Sequence, residues 1–398
     1  TSETSCDDCP LGTYSTEPGA PSSSSCKQCR WGTYSTARGA SSNTTCLYCP
    51  AGKYSSQVGA GYDTFCVSCP AGKYSNFLWG AWSLNYCLAC PAGTYSIEQG
   101  ASSISSCTSC ARGKYSATPS AQSPATCELC PPGTYSVRLG APSQAWCYAC
   151  PIGKYSETPG AESNATCLSC PAGKYSSVLG LNSPALCVRC SAGKFSFFPA
   201  AVSEVACTNC PVGTWSDTPG ADSNTSCRYC PAGTFSTIWG LASQDECEKC
   251  PAGKFSSYFG ATSDVTCQAC PVGTYLNVGG ATSEASCGKC PAGKFSSSVG
   301  SSSESTCEPC PAGMYSEDVG ANSSSTCVYC PVGKYSPIRG GYAISVCQDC
   351  PEGTYSDTPG ATNLDQFCLK CPAGTYSMTS GGFSIAYCLA CPPGKFST

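Results

Sequence analysis

Large apolar side chains recur along this chain one at a time, a single ring in each stretch of about twenty residues, held between polar neighbours. The stretch CLYCPAGKYS, Cys46–Ser55, shows the arrangement, with Lys53 and Ser55 flanking Tyr54, and its core CPAGKYS recurs letter for letter at Cys69–Ser75 and Cys170–Ser176. Polar–apolar–polar alternation has the two-residue period of a strand, so each triplet reads as a short strand with one ring turned inward. With the second Cys of each C-x-x-C as a marker, the ring stands five residues on: Tyr in fourteen copies, Phe in five, and Trp215 in one. Six residues on stands Ser, except at Leu276, and four residues on mostly Thr or Lys. The Lys of this phase, as at Lys53, Lys73 and Lys254, falls on the exposed flank of the strand.

Two turns frame the strand. Every copy has Gly three residues after the marker, as at Gly12, Gly52 and Gly374, which suggests a turn with positive φ or a close approach of backbone. Further on lies S-x-x-x-G-A. Pro precedes this Gly position at Pro18, Pro119, Pro159, Pro199, Pro219 and Pro359, and Pro-Gly suits the centre of a type II turn. Ser120 and Ala200 stand where the other copies have this Gly; both follow Pro, and a type I turn is expected there.

The marker cysteines step by twenty residues from Cys9 onward, with two steps of 21. One extra residue falls within 70–87 (SNFLWG) and the other within 351–368 (GATNLDQFC), both outside the C-x-x-C-P-x-G block. That block therefore reads as the rigid joint, and the rest as loop tolerant of length change. One ring cannot bury itself, so each unit needs its neighbours, with the ring packed on the adjacent disulfide or on the next ring. The expected fold is a single tandem array over 1–398: small disulfide-rich β repeats, twenty hairpin units of about twenty residues, almost no helix, stacked as an elongated solenoid-like rod. At roughly 10 Å per packed layer it would reach about 200 Å. The chain starts and stops in mid-unit without a capping repeat, which suggests a window of a longer array.

Composition narrows the function. The chain has 40 Cys, 42 Gly and 31 Pro, only 2 Met, no His and 12% charged residues. Such a chain builds no single large core, and covalent links must supply much of its order. Net charge is −4, with no basic stripe for nucleic acid. No apolar run approaches the ~18 residues of a membrane span; the most apolar patch is NFLWGAW, 76–82. Without His, Ser-His and Cys-His catalysis is excluded, and no acidic loop has metal-binding spacing. No cofactor and no enzymatic activity are expected.

The C-x-x-C pairs admit three readings. Zinc fits the local spacing. It conflicts with the uniform period, since paired zinc ligands should alternate in spacing. Ten four-thiolate sites at about −2 each would also bring the net charge from −4 to about −24, against 21 Lys and Arg. A redox pair needs a low-pKa thiol at a helix N-terminus, and a strand-and-turn repeat offers none. Structural disulfides in an oxidising compartment remain. Sequence alone does not prove connectivity. Bonds within C-x-x-C would staple nothing, and an interlaced scheme such as Cys6–Cys26 with Cys9–Cys29 would impose a forty-residue super-period that the spacing lacks. Pairing each marker with the next cysteine closes every hairpin alike: Cys9–Cys26, Cys29–Cys46, Cys49–Cys66, Cys69–Cys87, Cys90–Cys107, Cys170–Cys187, Cys350–Cys368 and Cys371–Cys388. A closure of this size contributes about 3 kcal/mol in the chain-entropy account. Cys6 and Cys391 then find partners outside the chain, and the two residues inside each C-x-x-C become a hinge between loops.

The pattern C-x-x-C-P-x-G-[TK]-[YF]-S-x3-G-A-x-S-x3-C resembles the ephrin-receptor-type cysteine-rich repeat over the whole chain. More distantly it resembles the one-disulfide loop of tumour necrosis factor receptors. In that module the Cys of C-P-x-G-x-Y pairs with the next Cys in line, which independently implies links of the Cys9–Cys26 kind. The chain departs from the pattern at Arg30, Ala111 and Ser191, where Pro is missing. Long pure arrays resemble those of large secreted and surface proteins of protists and algae, including components of flagellar hairs, and this resemblance points towards filaments.

Four N-x-S/T sequons occur, at Asn43, Asn164, Asn224 and Asn322, and the first three share one phase, four residues after the turn Gly. That Ser-rich face reads as solvent-facing and glycosylated. Extra aromatics at Phe77, Trp79, Trp82, Trp239 and Phe259 read as local packing or as a contact patch for another chain. The function expected is an extracellular, disulfide-stapled, glycosylated rod or filament that associates with itself or with other filament chains. The alternative is a receptor or adhesin ectodomain whose array forms a ligand-binding stalk.

Overall fold

The computed structural model describes residues 6–397. Its loops are built alike, and the one closed by Cys49–Cys66 shows how. Pro50, Ala51 and Gly52 turn the chain: Lys53 N–H donates to the Pro50 carbonyl at 3.1 Å, and Gly52 has φ +85°. Strand β1, Lys53–Tyr54, pairs antiparallel with β2, Val67–Ser68, in the register Lys53↔Ser68 and Tyr54↔Val67. Between them the chain turns at Gly59, φ +69°, and enters a 3-10 turn at Asp63–Phe65 that delivers Cys66 to Cys49. Cys69 N–H donates to the Gly52 carbonyl at 2.8 Å and seals the loop.

Three features differ from the sequence reading. The two residues inside C-x-x-C are not a hinge; they form the return strand of the preceding hairpin, as Leu47–Tyr48 does for Thr33–Tyr34. A 3-10 turn precedes the closing cysteine in loop after loop, signalled by the Ser four residues before it. Ser42, for example, accepts from Thr44 N–H, the role of an N-cap. Ser120 and Ala200 do not adopt a type I turn: their φ values of 57° and 61° are left-handed, like the glycines they replace. The hydrogen bonds from Ser120 N–H to Cys90 O and from Ala200 N–H to Cys170 O, both 2.9 Å, match those of glycine at this phase and hold the backbone there.

The two extra residues are absorbed locally. Within 351–368 the 3-10 turn becomes one α-helical turn, Leu364–Phe367, capped by Asn363 accepting from Gln366 N–H at 2.8 Å. Within 70–87 the extra residue lengthens the segment between Ser75 and Gly80.

The chain divides into two compact bodies: residues up to Arg189 with Phe198–Ala206, and Cys190–Phe197 with the residues from Cys207 onward. In both, the core is built from sulfur more than from aliphatic side chains. In the first body Cys170, Leu181 and Cys187 cluster with Tyr155 against them. In the second, Phe255 joins Cys270, Leu276, Ala281 and Cys287.

Candidate functional site: the junction between loops

What repeats along the chain is a junction. The ring of one loop lies on the disulfide of the next: Trp215 packs with Cys230, Leu241 and Cys247, and Phe235 with Cys250, Ala261 and Cys267. Of the two partners the sequence allowed the ring, the disulfide is the one observed. Beside each ring a parallel bridge reaches the small residue after the next turn Gly, as in Tyr54↔Ala81 and Phe255↔Ala281.

Backbone hydrogen bonds reinforce the contact. In the first body Gly52 N–H donates to Ser75 O at 2.9 Å, Ser55 N–H to Ala81 O at 3.0 Å, and Gly100 N–H to Cys69 O at 2.8 Å. The second body repeats the set with Gly253 to Leu276 O, Leu276 to Ser301 O and Gly280 to Cys250 O. The Ser after each ring is therefore not an exposed polar flank. Ser55 is buried, and its Oγ accepts from Gln57 N–H at 3.4 Å. Leu276 keeps both backbone bonds while filling the same space with an alkyl group, so the junction requires the backbone at this position and not the hydroxyl.

A second contact skips a loop. A Cβ on Gly52 would collide with the carbonyl of Gly100, and one on Gly253 with that of Gly300. The Gly three residues after the marker is thus required twice over, by its positive φ and by backbone arriving from two loops ahead. Both causes that the sequence suggested for this Gly operate; what local sequence does not show is which backbone approaches, because the contacting carbonyl lies almost fifty residues away.

Disulfides link Cys9–Cys26, Cys29–Cys46, Cys49–Cys66, Cys69–Cys87, Cys90–Cys107, Cys170–Cys187, Cys350–Cys368 and Cys371–Cys388, with Cα–Cα distances of 5.6 to 5.9 Å. Cys6, exposed, and Cys391, half-buried, are free. Asn43, Asn164 and Asn224 each open a 3-10 turn and are exposed, as is Asn322.

The aromatic candidates separate. Phe77, Trp82 and Tyr86 pack on one another, with Trp82–Tyr86 centroids 4.4 Å apart. Trp79 meets Tyr48 edge to face at 6.0 Å. Trp239 and Phe259 stand 59% and 71% exposed on the second body. Charges are sparse and superficial. Lys334 and Asp349 pair across a hairpin at 2.7 Å, an exposed bridge of small energetic weight. The Tyr115 hydroxyl donates to Glu128 at 2.7 Å, and that bond, with partial burial and the carboxylate charge, raises its pKa above the ordinary tyrosine value. Among the described residues no three His, Cys, Asp or Glu side chains gather as metal ligands, and no helix is long and apolar enough to cross a membrane.

Geometry thus defines a class: a tandem array of one-disulfide β-hairpins joined through ring-on-disulfide junctions. Four stretches, 63–107, 222–265, 258–307 and 320–366, match the family model described as tyrosine-protein kinase ephrin type A/B receptor-like. The chain is a cysteine-rich repeat array, and in these four stretches its repeats are similar to that family. No curated protein matches it. A repeat of this family and its dense disulfides point to an extracellular or surface location.

Proposed function

We propose that the chain is a structural component of an extracellular fibre, flagellar hair or cell-surface matrix: a disulfide-stapled, glycosylated rod that associates with itself or with other filament chains. The observation that carries this reading is the recurrence of one backbone junction, with the same donors and acceptors, in loop after loop of both bodies. A catalytic or signalling domain concentrates its chemistry in one place; here it is distributed evenly. N-linked glycans on Asn43, Asn164, Asn224 and Asn322 would keep the exposed turns solvated, and Trp239 and Phe259 would supply lateral contacts.

The role is mechanical. Each disulfide holds cysteines 17 or 18 residues apart at 5.6 to 5.9 Å. A loop that loses its hairpin under load therefore cannot lengthen by the ~60 Å that its residues would span when extended. Single-molecule stretching is expected to show steps of about 55 Å only in the presence of reductant; such steps without reductant would contradict the role. Negative-stain imaging of native material should show long fibres. Isolated, monodisperse particles would overturn the filament and favour the second reading, a receptor or adhesin ectodomain. One observation supports that alternative: a cluster of loops near the start of the chain departs from the repeat.

A further inference from the structure

Departures from the repeat that lie far apart in sequence meet on one face of the first body. Arg30 and Trp31 stand where most loops carry Pro and a small or aliphatic residue. About fifty residues on, the lengthened segment before Gly80 brings Trp79, with Trp82 just beyond. The loop-skipping contact joins them: a Cβ on Gly32 would strike the Gly80 carbonyl, and one on Gly80 would lie 2.8 Å from Tyr48 Cδ1. These side chains line an open groove of about 810 Å3, with Asn43 also on its wall. Trp31 is 60% exposed and Trp79 69%, and Tyr48 braces Trp79 edge to face. Regular junctions bury or half-bury their one ring, as at Phe255 and Tyr54; this place holds several that the fold leaves more than two-fifths exposed.

Its charge is as unusual as its rings. The chain as a whole is acidic, at −4, yet among the described residues no carboxylate lines the groove. Arg30 has no ion-pair partner among the described residues. A guanidinium with no described carboxylate against it, amid indole N–H and phenol O–H donors, suits a ligand rich in acceptors and carrying negative charge. The exposed indoles suit one with an apolar face of polarised C–H groups, which the electron-rich face of an aromatic ring attracts. The volume accommodates a short oligomer more readily than a single ion.

We propose that this groove binds an acidic saccharide, a short chain of uronic acid units. The pyranose C–H faces lie against Trp31 and Trp79, and a carboxylate is held by Arg30. The inference holds for a filament and for a receptor alike.

The test uses the full chain carrying Asn43→Gln, so that no N-linked sugar starts inside the groove. It is titrated with a galacturonate tetramer by calorimetry and tryptophan fluorescence. Saturable binding with a fluorescence change is expected. Arg30→Ala and Trp79→Ala should each weaken it by about tenfold or more, and Arg30→Lys by less, since it keeps the charge and loses the fork. The neutral galactose tetramer should bind at least about tenfold more weakly. Tyr258→Ala, at an exposed ring of the second body, should leave binding unchanged. Non-reducing peptide mapping of Cys29–Cys46 verifies that each variant is folded at this loop. Absence of saturable binding, equal affinity for the neutral tetramer, indifference to Arg30→Ala, or binding of a proline-rich peptide in place of the uronate would each overturn the proposal.

Discussion

Trp79 in the first body and Trp215 in the second are the same side chain with opposite fates. Trp215 is 8% exposed and lies on the Cys230–Cys247 disulfide beside Leu241. Trp79 is 69% exposed, with Tyr48 as its ring partner. Hydrophobicity does not separate them; phase does. Trp215 stands five residues after its marker Cys, on the strand position that faces the next disulfide. Trp79 stands just before a turn Gly, where the chain bends towards solvent. In a repeat with one inward position per unit, every further ring must pack on its neighbours at the surface or await a partner.

The largest expected effect tests that rule directly. Trp215→Ala removes the ring from a buried cluster and should cost about 3–5 kcal/mol. Trp79→Ala should change stability by no more than about 0.5 kcal/mol. Long arrays open in parts, so the readout is local hydrogen exchange. Ser216 N–H, bonded to Leu241 O, and Gly240 N–H, bonded to Cys210 O, should lose protection in the first variant. Similar losses in the two variants would break the comparison.

The next effect separates the two demands on the marker-phase glycine. Gly52, after the marker, and Gly340, at the second turn, both have positive φ, +85° and +77°. A Cβ on Gly52 would collide with the Gly100 carbonyl, whereas one on Gly340 would meet nothing nearer than Pro309 Cβ at 3.3 Å. Gly340→Ala should therefore cost little beyond the left-handed strain of about 1 kcal/mol. Gly52→Ala should cost about 3 kcal/mol, with protection lost at Gly52 and Gly100 N–H. Equal costs would mean that the loop-skipping contact contributes nothing.

These contacts mark how far the sequence could be read. The period, the single inward ring and the two turns were legible because each is local and repeated along the whole chain. The return strand was not, since two residues between cysteines carry no alternation to betray pairing. The loop-skipping approach to Gly52 leaves no signature beyond the glycine itself. The groove was half legible: Trp79 and Trp82 drew notice as extra rings, and Arg30 only as a missing proline. Their meeting depends on how loops two apart are stacked, which no spacing encodes.

The smallest expected effect has the opposite sign. Ser120 and Ala200 carry a Cβ in the left-handed region, at φ 57° and 61°, where other loops use glycine. Strain of about 1–2 kcal/mol is set against the extra freedom glycine has when unfolded, about 0.5–1 kcal/mol. Ser120→Gly and Ala200→Gly should therefore each stabilise their junctions by about 0.5–1 kcal/mol, raising protection of the amides bonded to Cys90 O and Cys170 O. A loss of protection at either site would mean that its side chain contributes more to the junction than its backbone strain costs. The phase rule would then have to include the turn as well as the strand.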